Sequence, residues 1–215
     1  MSFPSSKRAQ ASNERRLKIM ITAEQLFGEH GCDAVSLNEI NKAAGQRNTS
    51  ALHYYFGSKD GLLEAIILTH YAEVEAQINE VLDTLESREK LSCRDIVAAM
   101  TQPFINKLDD ERGVNYLRIM AQQLSVSSQW LDKGRLGRED VARERIFQLF
   151  KRERLTLPAA VAPVRMILYT TLLFHSLAAY SRFERNDISN PLGNKEMFSA
   201  NLIDSLVGVF TPPLD

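Results

Sequence analysis

One stretch of the sequence decides the fold: residues 36–65, SLNEINKAAGQRNTSALHYYFGSKDGLLEA. Its apolar residues recur with helical spacing, and glycines interrupt the pattern twice. Ser36 can cap a first short helix while Glu39 bonds back to it. A second short helix is predicted over about 49–55, and Ser58 can cap a long helix that reaches about residue 85. Two short helices joined by a glycine-containing turn are typical of a helix-turn-helix.

The remaining segments also have helical periodicity, and no run of alternating strand character is apparent. A first helix is predicted from Asn13 to His30, and later helices over about 92–109, 113–127, 137–154, 159–184 and 195–210. We therefore expect an all-α protein in three parts. These are a flexible basic arm at 1–12, a helix-turn-helix domain at 13–57, and a larger helical domain at 58–215.

Composition and motifs exclude several classes of protein. Apolar residues make up 44% and charged residues 25% of the 215 residues, which is ordinary for a globular chain. Cys32 and Cys93 form neither a disulfide framework nor a metal-ligand pattern, and they fit a reducing cytoplasm. The start of the chain lacks the apolar run of a signal peptide, and the longest apolar stretch, 166–179, is too short and too interrupted to span a membrane. No catalytic, metal-binding or cofactor-binding motif is present.

Charge is distributed unevenly along the chain. Residues 1–59 contain eight basic and five acidic residues, a net charge of +3, whereas the whole chain carries −1. The rest of the chain therefore carries −4. A basic end on an acidic body favours contact with phosphates.

Polar side chains cluster where a groove-facing helix surface is expected. They are Arg47, Asn48, Thr49, Ser50, His53 and Tyr54. The apolar residues of the same segment, Leu52, Tyr55 and Phe56, are expected to pack against the two preceding helices, although Tyr54 could also be a core aromatic. A helix with this division between its faces fits the major groove of DNA.

Residues 13–66 resemble the N-terminal domain of TetR/AcrR-type transcriptional regulators. The resemblance lies in AEQLFGEHG at 23–31, SLNEI at 36–40, AAG at 43–45 and LHYYFGSKDGLLEA at 52–65. It implies phosphate contacts from Ser36, Tyr54 and Lys59. It implies base readout from the variable stretch, which here is Arg47, Asn48, Thr49, Ser50, Ala51 and His53.

Two departures from the family pattern affect these residue assignments. Gln46 follows Gly45 where the family commonly has valine, and Phe56 lies one position later than the phenylalanine of the family pattern. This leaves open which residue begins the recognition helix. Asn41 also replaces a usual small alanine, so local packing of the second helix is expected to differ.

The resemblance also implies that the larger domain, 58–215, is a helical effector-binding and dimerisation domain. The last two long helices would form a four-helix dimer interface with Leu173, Leu177, Tyr180, Leu202, Leu206 and Val209; alternatively, they face their own core. An effector pocket would be lined by Met100, Phe104, Tyr116, Met120, Gln123, Trp130, Phe147, Phe150, Tyr169 and His175; alternatively, these are core residues.

The combined expectation is a homodimeric DNA-binding regulator without a cofactor. It would act as a repressor on a pseudo-palindromic double-stranded operator and be released by a small, largely apolar effector. The alternative is a helical protein-interaction or carrier module whose helix-turn-helix does not read DNA.

Overall fold

The computed structural model describes residues 5–46, 50–126, 141–155, 157–185 and 191–211, and within these ranges it is built from helices alone. The α-helices are α1 Ser5–His30, α2 Leu37–Ala43, α3 Ser50–Phe56, α4 Lys59–Glu86, α5 Cys93–Asn106, α6 Glu111–Val126, α7 Val141–Arg152, α8 Ala162–Arg185 and α9 Lys195–Phe210. A 3₁₀ turn at Lys107–Asp109 follows α5.

The predicted flexible arm is wrong for residues 5–12, because α1 begins at Ser5. The segment SSKRAQAS contains no glycine and no proline, and lysine, arginine, alanine and glutamine favour helix. Pro4 stands directly before the helix, where the missing N–H has no consequence. The first helix is therefore two turns longer than the apolar pattern indicated.

The first three helices share a small core. Phe27 of α1, Ile40 of α2 and Leu52 of α3 are all fully buried. Gly31 ends α1 with a φ of 96°, a left-handed conformation that glycine adopts without strain. This core orients the short helices α2 and α3 against the first and fourth helices.

The first three helices are joined to the rest of the chain through the packing of α1 on α6. Gly28 lies so close to Asn115 of α6 that a Cβ at residue 28 would stand 2.4 Å from the Asn115 side-chain oxygen. Nearby, the buried carboxylate of Glu24 accepts hydrogen bonds from the guanidinium of Arg112 in α6. The first helix therefore packs directly on the larger domain, in addition to the connection through α4.

The residues predicted for the dimer interface lie mainly inside a single chain. Leu173, Leu177 and Leu206 are fully buried, Leu202 and Tyr180 are 5% and 3% exposed, and Val209 is half-buried. Tyr180 stacks on Phe198 of α9 with ring centroids 4.4 Å apart. In this conformation the five buried side chains offer no surface to a second chain, because they pack α8 onto α6 and α9.

The opposite face of α8 is apolar and exposed. Its exposed residues follow helical spacing and are Val164, Ile167, Leu168 and Leu172. Among the described residues, no helix is both long enough and apolar enough to cross a lipid bilayer.

Candidate DNA-binding surface

The surface begins at the amino end of α2, where Ser36 forms a capping box with Glu39. The Ser36 backbone N–H donates to the Glu39 carboxylate at 2.7 Å, and the Glu39 N–H donates to the Ser36 hydroxyl oxygen at 3.2 Å. Hydrogen bonding from the Ser36 backbone, and next from its side chain, holds the pKa of Glu39 below its ordinary value. Ser36 is exposed, so its hydroxyl lies at the surface at a helix start.

Helix α3 divides its residues between two faces. Leu52 is fully buried, whereas Tyr54 is 81% exposed and His53 is also exposed. Ala51 is half-buried and packs against the core. The outward face of the helix therefore carries an imidazole and a phenol, which both have polar atoms able to meet bases or phosphates.

The imidazole of His53 has a defined partner on its own chain. Its Nδ1 lies 2.9 Å from the carbonyl oxygen of Gly57. Because a carbonyl only accepts, Nδ1 donates there, and Nε2 is left as the ring atom that faces outward. Gly57 makes this turn with a φ of 71°.

Lys59 stands at the first position of α4. Its ammonium donates to the carbonyl oxygen of Asp33 at 3.3 Å and lies 5.9 Å from the ring centroid of Phe27. The preceding Ser58 caps α4 by accepting from the Gly61 N–H at 3.0 Å. At residue 61 a Cβ would stand 2.1 Å from the Phe56 carbonyl oxygen, so the tight α3–α4 turn requires glycine. This turn sets the distance between Lys59 and the outward side of α3.

The structure thus places Ser36, His53, Tyr54 and Lys59 near helix ends or outward faces of the three helices. Arg47, Asn48 and Thr49 lie outside the described residues, as does the side chain of Ser50. Their base-reading roles stay predictions, and so do the phosphate contacts of the others.

Sequence reasoning missed two contacts from α1 to α3. The hydroxyls of Ser12 and Tyr55 are 3.0 Å apart, and the guanidinium of Arg16 lies over the Phe56 ring at 5.2 Å. For Ser12 the signal available in the sequence was the unbroken helix-forming run before Asn13, whereas Arg16 already lay on the predicted first helix.

Asn41 of α2, which departs from the family pattern, is buried without hydrogen-bond partners. It is 3% exposed, and neither its side-chain nitrogen nor its side-chain oxygen has a hydrogen-bond partner. A buried amide without partners is destabilising. This cost falls within the helix-turn-helix itself.

The predicted effector-pocket residues divide between core and surface. Met100, Phe104, Tyr116, Met120, Phe150 and Tyr169 are buried, Gln123 is half-buried, Phe147 and His175 are exposed, and Trp130 lies outside the described residues. Burial raises the pKa of the Tyr116 and Tyr169 hydroxyls, so both stay protonated. Phe147 points away from the core on α7, since Leu149 and Phe150 occupy the buried face.

Two open clefts lie elsewhere, beside the end of α1. One has a volume of about 410 Å³ and is lined by the end of α1 together with Arg118, Gln122 and Arg182. The other, of about 460 Å³, lies between α1 and α2. Neither includes the predicted effector-pocket residues. Among the described residues, no three histidine, cysteine, aspartate or glutamate side chains are grouped to hold a metal ion.

Residues 19–66 match the family model described as bacterial regulatory proteins, tetR family. The match covers the second half of α1, helices α2 and α3, and the start of α4. This confirms the sequence resemblance and the predicted class of DNA-binding transcriptional regulator rather than enzyme. No curated protein matches the sequence.

Solved structures confirm the TetR-type all-helical fold over almost the whole chain. PfmR, a TetR-family regulator of Thermus thermophilus, has a TM-score of 0.50 and 19% identity, covering 88% of this chain and 97% of its own. RHA5900, described as a transcriptional regulatory protein, has a TM-score of 0.55 and 13% identity over 92% and 100%. A structure from Mesorhizobium loti has a TM-score of 0.50 and 19% identity over 93% and 96%. At these identities the likeness concerns the fold alone.

Proposed function

We propose that the protein is a homodimeric, cytoplasmic repressor that binds a pseudo-palindromic DNA operator and is released by a small, largely apolar effector. The observation that carries the proposal is the outward face of α3. Tyr54 is 81% exposed beside His53, while Leu52 holds the opposite face in the core. An exposed aromatic and an imidazole on a short helix braced by two others suit insertion into a major groove.

Phosphate contacts are proposed for the residues on either side of this helix. Ser36 places its hydroxyl at the exposed start of α2, and Lys59 holds its ammonium on the Asp33 carbonyl at the start of α4. A lysine ammonium has three N–H groups, and this hydrogen bond uses one of them. Such contacts fix the register of the protein on DNA, whereas base contacts specify sequence.

Dimerisation is proposed through the exposed apolar face of α8 and the outward face of α9. The α8 face carries Val164, Ile167, Leu168 and Leu172, each at least 36% exposed. On α9 the exposed face carries the small residues Ala200, Ser205 and Gly208 together with Met197, which is 52% exposed. Apolar and small residues on two neighbouring helices permit packing of four helices around a two-fold axis. A dimer would present two copies of α3 about one DNA turn, roughly 34 Å, apart.

Effector binding is proposed for the aromatic region between α5, α6 and α8. Phe104 and Tyr116 contact Phe174 with ring centroids 5.1 and 6.2 Å apart. The hydroxyls of Thr101 and Tyr169 lie 3.3 Å apart within the same core. Apolar walls with one buried hydroxyl pair suit a small, largely apolar molecule, which would enter by shifting these side chains.

The experiment is selection of bound duplexes from a random library, followed by affinity measurements with the enriched duplex. We expect an enriched sequence with two related half-sites, and we expect Tyr54→Ala to weaken its binding at least tenfold. The matched control is Phe147→Ala, because Phe147 is an exposed aromatic on α7, away from α3. Absence of any enriched duplex, or equal binding by wild type and Tyr54→Ala, would favour the interaction-module alternative.

A further inference from the structure

The two helices of the helix-turn-helix carry almost no charge with which to bind a polyanion. Helix α3, SALHYYF, has no lysine, arginine, aspartate or glutamate, and α2, LNEINKA, has one glutamate and one lysine. DNA affinity at physiological salt depends mainly on cationic side chains that neutralise phosphates. The charge required for that affinity must therefore lie outside these two helices.

The first half of α1 is where positive charge is concentrated. Residues 5–18, SSKRAQASNERRLK, contain five basic residues and one acidic residue, a net charge of +4. The remainder of the chain therefore carries −5, given the overall charge of −1. Arg15, Arg16 and Lys18 are all exposed.

Contacts with α3 fix where this basic half-helix lies. Phe27 of α1 lies beneath Lys59 at the start of α4, and Arg16 lies over Phe56 at the end of α3. Ser12, one turn nearer the amino end, contacts the hydroxyl of Tyr55 at 3.0 Å. The side of α1 that carries Ser12 and Arg16 therefore lies against the end of α3.

Tyr55 connects this basic half-helix to the outward residue Tyr54. The rings of Tyr54 and Tyr55 are edge to face with centroids 5.1 Å apart. At 1.5 Å per residue, the helical segment from Ser5 to Ser12 extends about 10 Å beyond the Ser12 contact. Residues 8, 12 and 15 fall on one side of the helix, so the Ser12 side of α1 carries arginine positions before and after the contact.

We infer that the first half of α1 is a second DNA-contacting surface, which binds phosphates beside the groove that α3 enters and supplies most of the sequence-independent affinity. The inference rests on the proposed function, since it requires that α3 meet DNA. Arg15 and Arg16 neutralise phosphates, and the Ser12–Tyr55 and Arg16–Phe56 contacts hold α1 at a fixed angle to α3. These phosphate contacts position α3 on the DNA and add affinity, but they do not read the bases.

The test is binding of a fluorescent 30-base-pair duplex of mixed sequence, measured by anisotropy at several KCl concentrations. For Arg15→Gln/Arg16→Gln we expect the slope of log K against log[KCl] to become shallower by about 1.8, which is about 0.9 for each phosphate contact. At 0.1 M KCl the affinity is expected to fall roughly 60-fold, by the same relation. Helicity measured by circular dichroism checks that the variant is folded.

Two control variants separate charge from other effects. Lys90→Gln/Lys151→Gln removes two exposed basic residues distant from α3, and its slope is expected to match that of wild type. Arg15→Lys/Arg16→Lys keeps both charges and is expected to keep most of the slope. A folded Arg15→Gln/Arg16→Gln protein that retains the wild-type slope would overturn the inference.

Specificity distinguishes this inference from the proposed function. The affinity ratio between a selected duplex and the mixed duplex is expected to stay within about twofold in Arg15→Gln/Arg16→Gln, because phosphate contacts carry no sequence information. The same ratio is expected to fall in Tyr54→Ala. Loss of the ratio in the double arginine variant would contradict the inference alone, whereas failure of wild type to bind any duplex would contradict the proposed function.

Discussion

Glu24 of α1 and Arg112 of α6 form an ion pair that joins the DNA-binding helices to the larger domain. Two donors of Arg112, Nε and Nη2, reach the same Glu24 oxygen, at 3.2 and 2.9 Å. The other Glu24 oxygen lies 3.1 Å from Nε2 of His70 in α4, and Tyr116 stacks on that imidazole. Glu24 is 1% exposed, so its charge depends on these partners.

Removing the charge of Arg112 is expected to destabilise the protein. Arg112→Met leaves the buried carboxylate of Glu24 without this cation, and because Arg112 itself is partly exposed we expect the free energy of unfolding to fall by about 2 kcal/mol. The measurement is urea denaturation followed by circular dichroism. Arg112→Lys keeps a cation, so its free energy of unfolding is expected to fall less.

Arg88→Met is the matched control, because Arg88 pairs with Asp95 in an exposed setting. The free energy of unfolding is expected to fall by less than about 1 kcal/mol in this variant. Equal losses in Arg112→Met and Arg88→Met would contradict a special role for the α1–α6 pair.

Asn41→Ala is expected to stabilise the helix-turn-helix. The buried amide of Asn41 has two unpaired polar atoms, and alanine removes both. Relief of this desolvation penalty is worth about 1 kcal/mol beyond any gain in helix propensity. The free energy of unfolding from denaturant titration is the measurement.

Asn38→Ala isolates the propensity gain, because Asn38 is an exposed asparagine in the same helix. Its expected gain is about 0.6 kcal/mol. If Asn41→Ala is no more stable than Asn38→Ala, the buried amide has a partner in solution.

The helix-turn-helix could be predicted closely from the sequence because its signals are local. Ser36, Gly45 and Ser58 mark helix ends through their own side chains or backbone conformations, and the structure places α2 and α3 within two residues of the predicted bounds. The capping box of Ser36 and Glu39 was predicted from the same local signals and is confirmed.

Predictions that depended on tertiary packing succeeded less well. Both faces of α8 are apolar, so periodicity could not indicate that Leu173 and Leu177 pack inward while Ile167 and Leu168 are exposed. The length of α1 was underestimated for a different reason. Its first two turns have no apolar face and are marked only by helix propensity, which is a weak signal.

The capping box predicts a pH dependence of stability. Hydrogen bonds from Ser36 hold the pKa of Glu39 below its ordinary value, which is about 4.3 in unfolded chains. The stabilisation is therefore present above that value and lost as the pH falls through the lower pKa of the folded state. Unfolding free energies of wild type and Glu39→Gln are expected to differ at pH 7 and to converge near about pH 3.

Glu64→Gln serves as the comparison for this experiment, since Glu64 lies on α4 away from the α2 cap. The difference in unfolding free energy between Glu64→Gln and wild type is expected to change less between pH 7 and about pH 3. A Glu39→Gln difference that persists unchanged down to about pH 3 would mean that the carboxylate charge does not stabilise the cap.

The α8 surface provides a test of how two copies of the chain associate. Leu168 is 49% exposed in the middle of the apolar face, between Val164 and Leu172. In the proposed dimer its side chain becomes buried, so Leu168→Glu would place a carboxylate in an apolar contact at a cost of several kcal/mol. We expect wild type to have the mass of a dimer by light scattering and Leu168→Glu that of a monomer.

Val141→Glu separates an interface effect from a general effect of added charge. Val141 is 53% exposed on α7, and its variant is expected to keep the wild-type mass. Because two linked recognition helices bind the two half-sites of one operator, the monomeric variant is also expected to lose most of its operator affinity. A monomeric wild-type protein, or a dimeric Leu168→Glu with unchanged affinity, would show that the exposed α8 face does not join two chains.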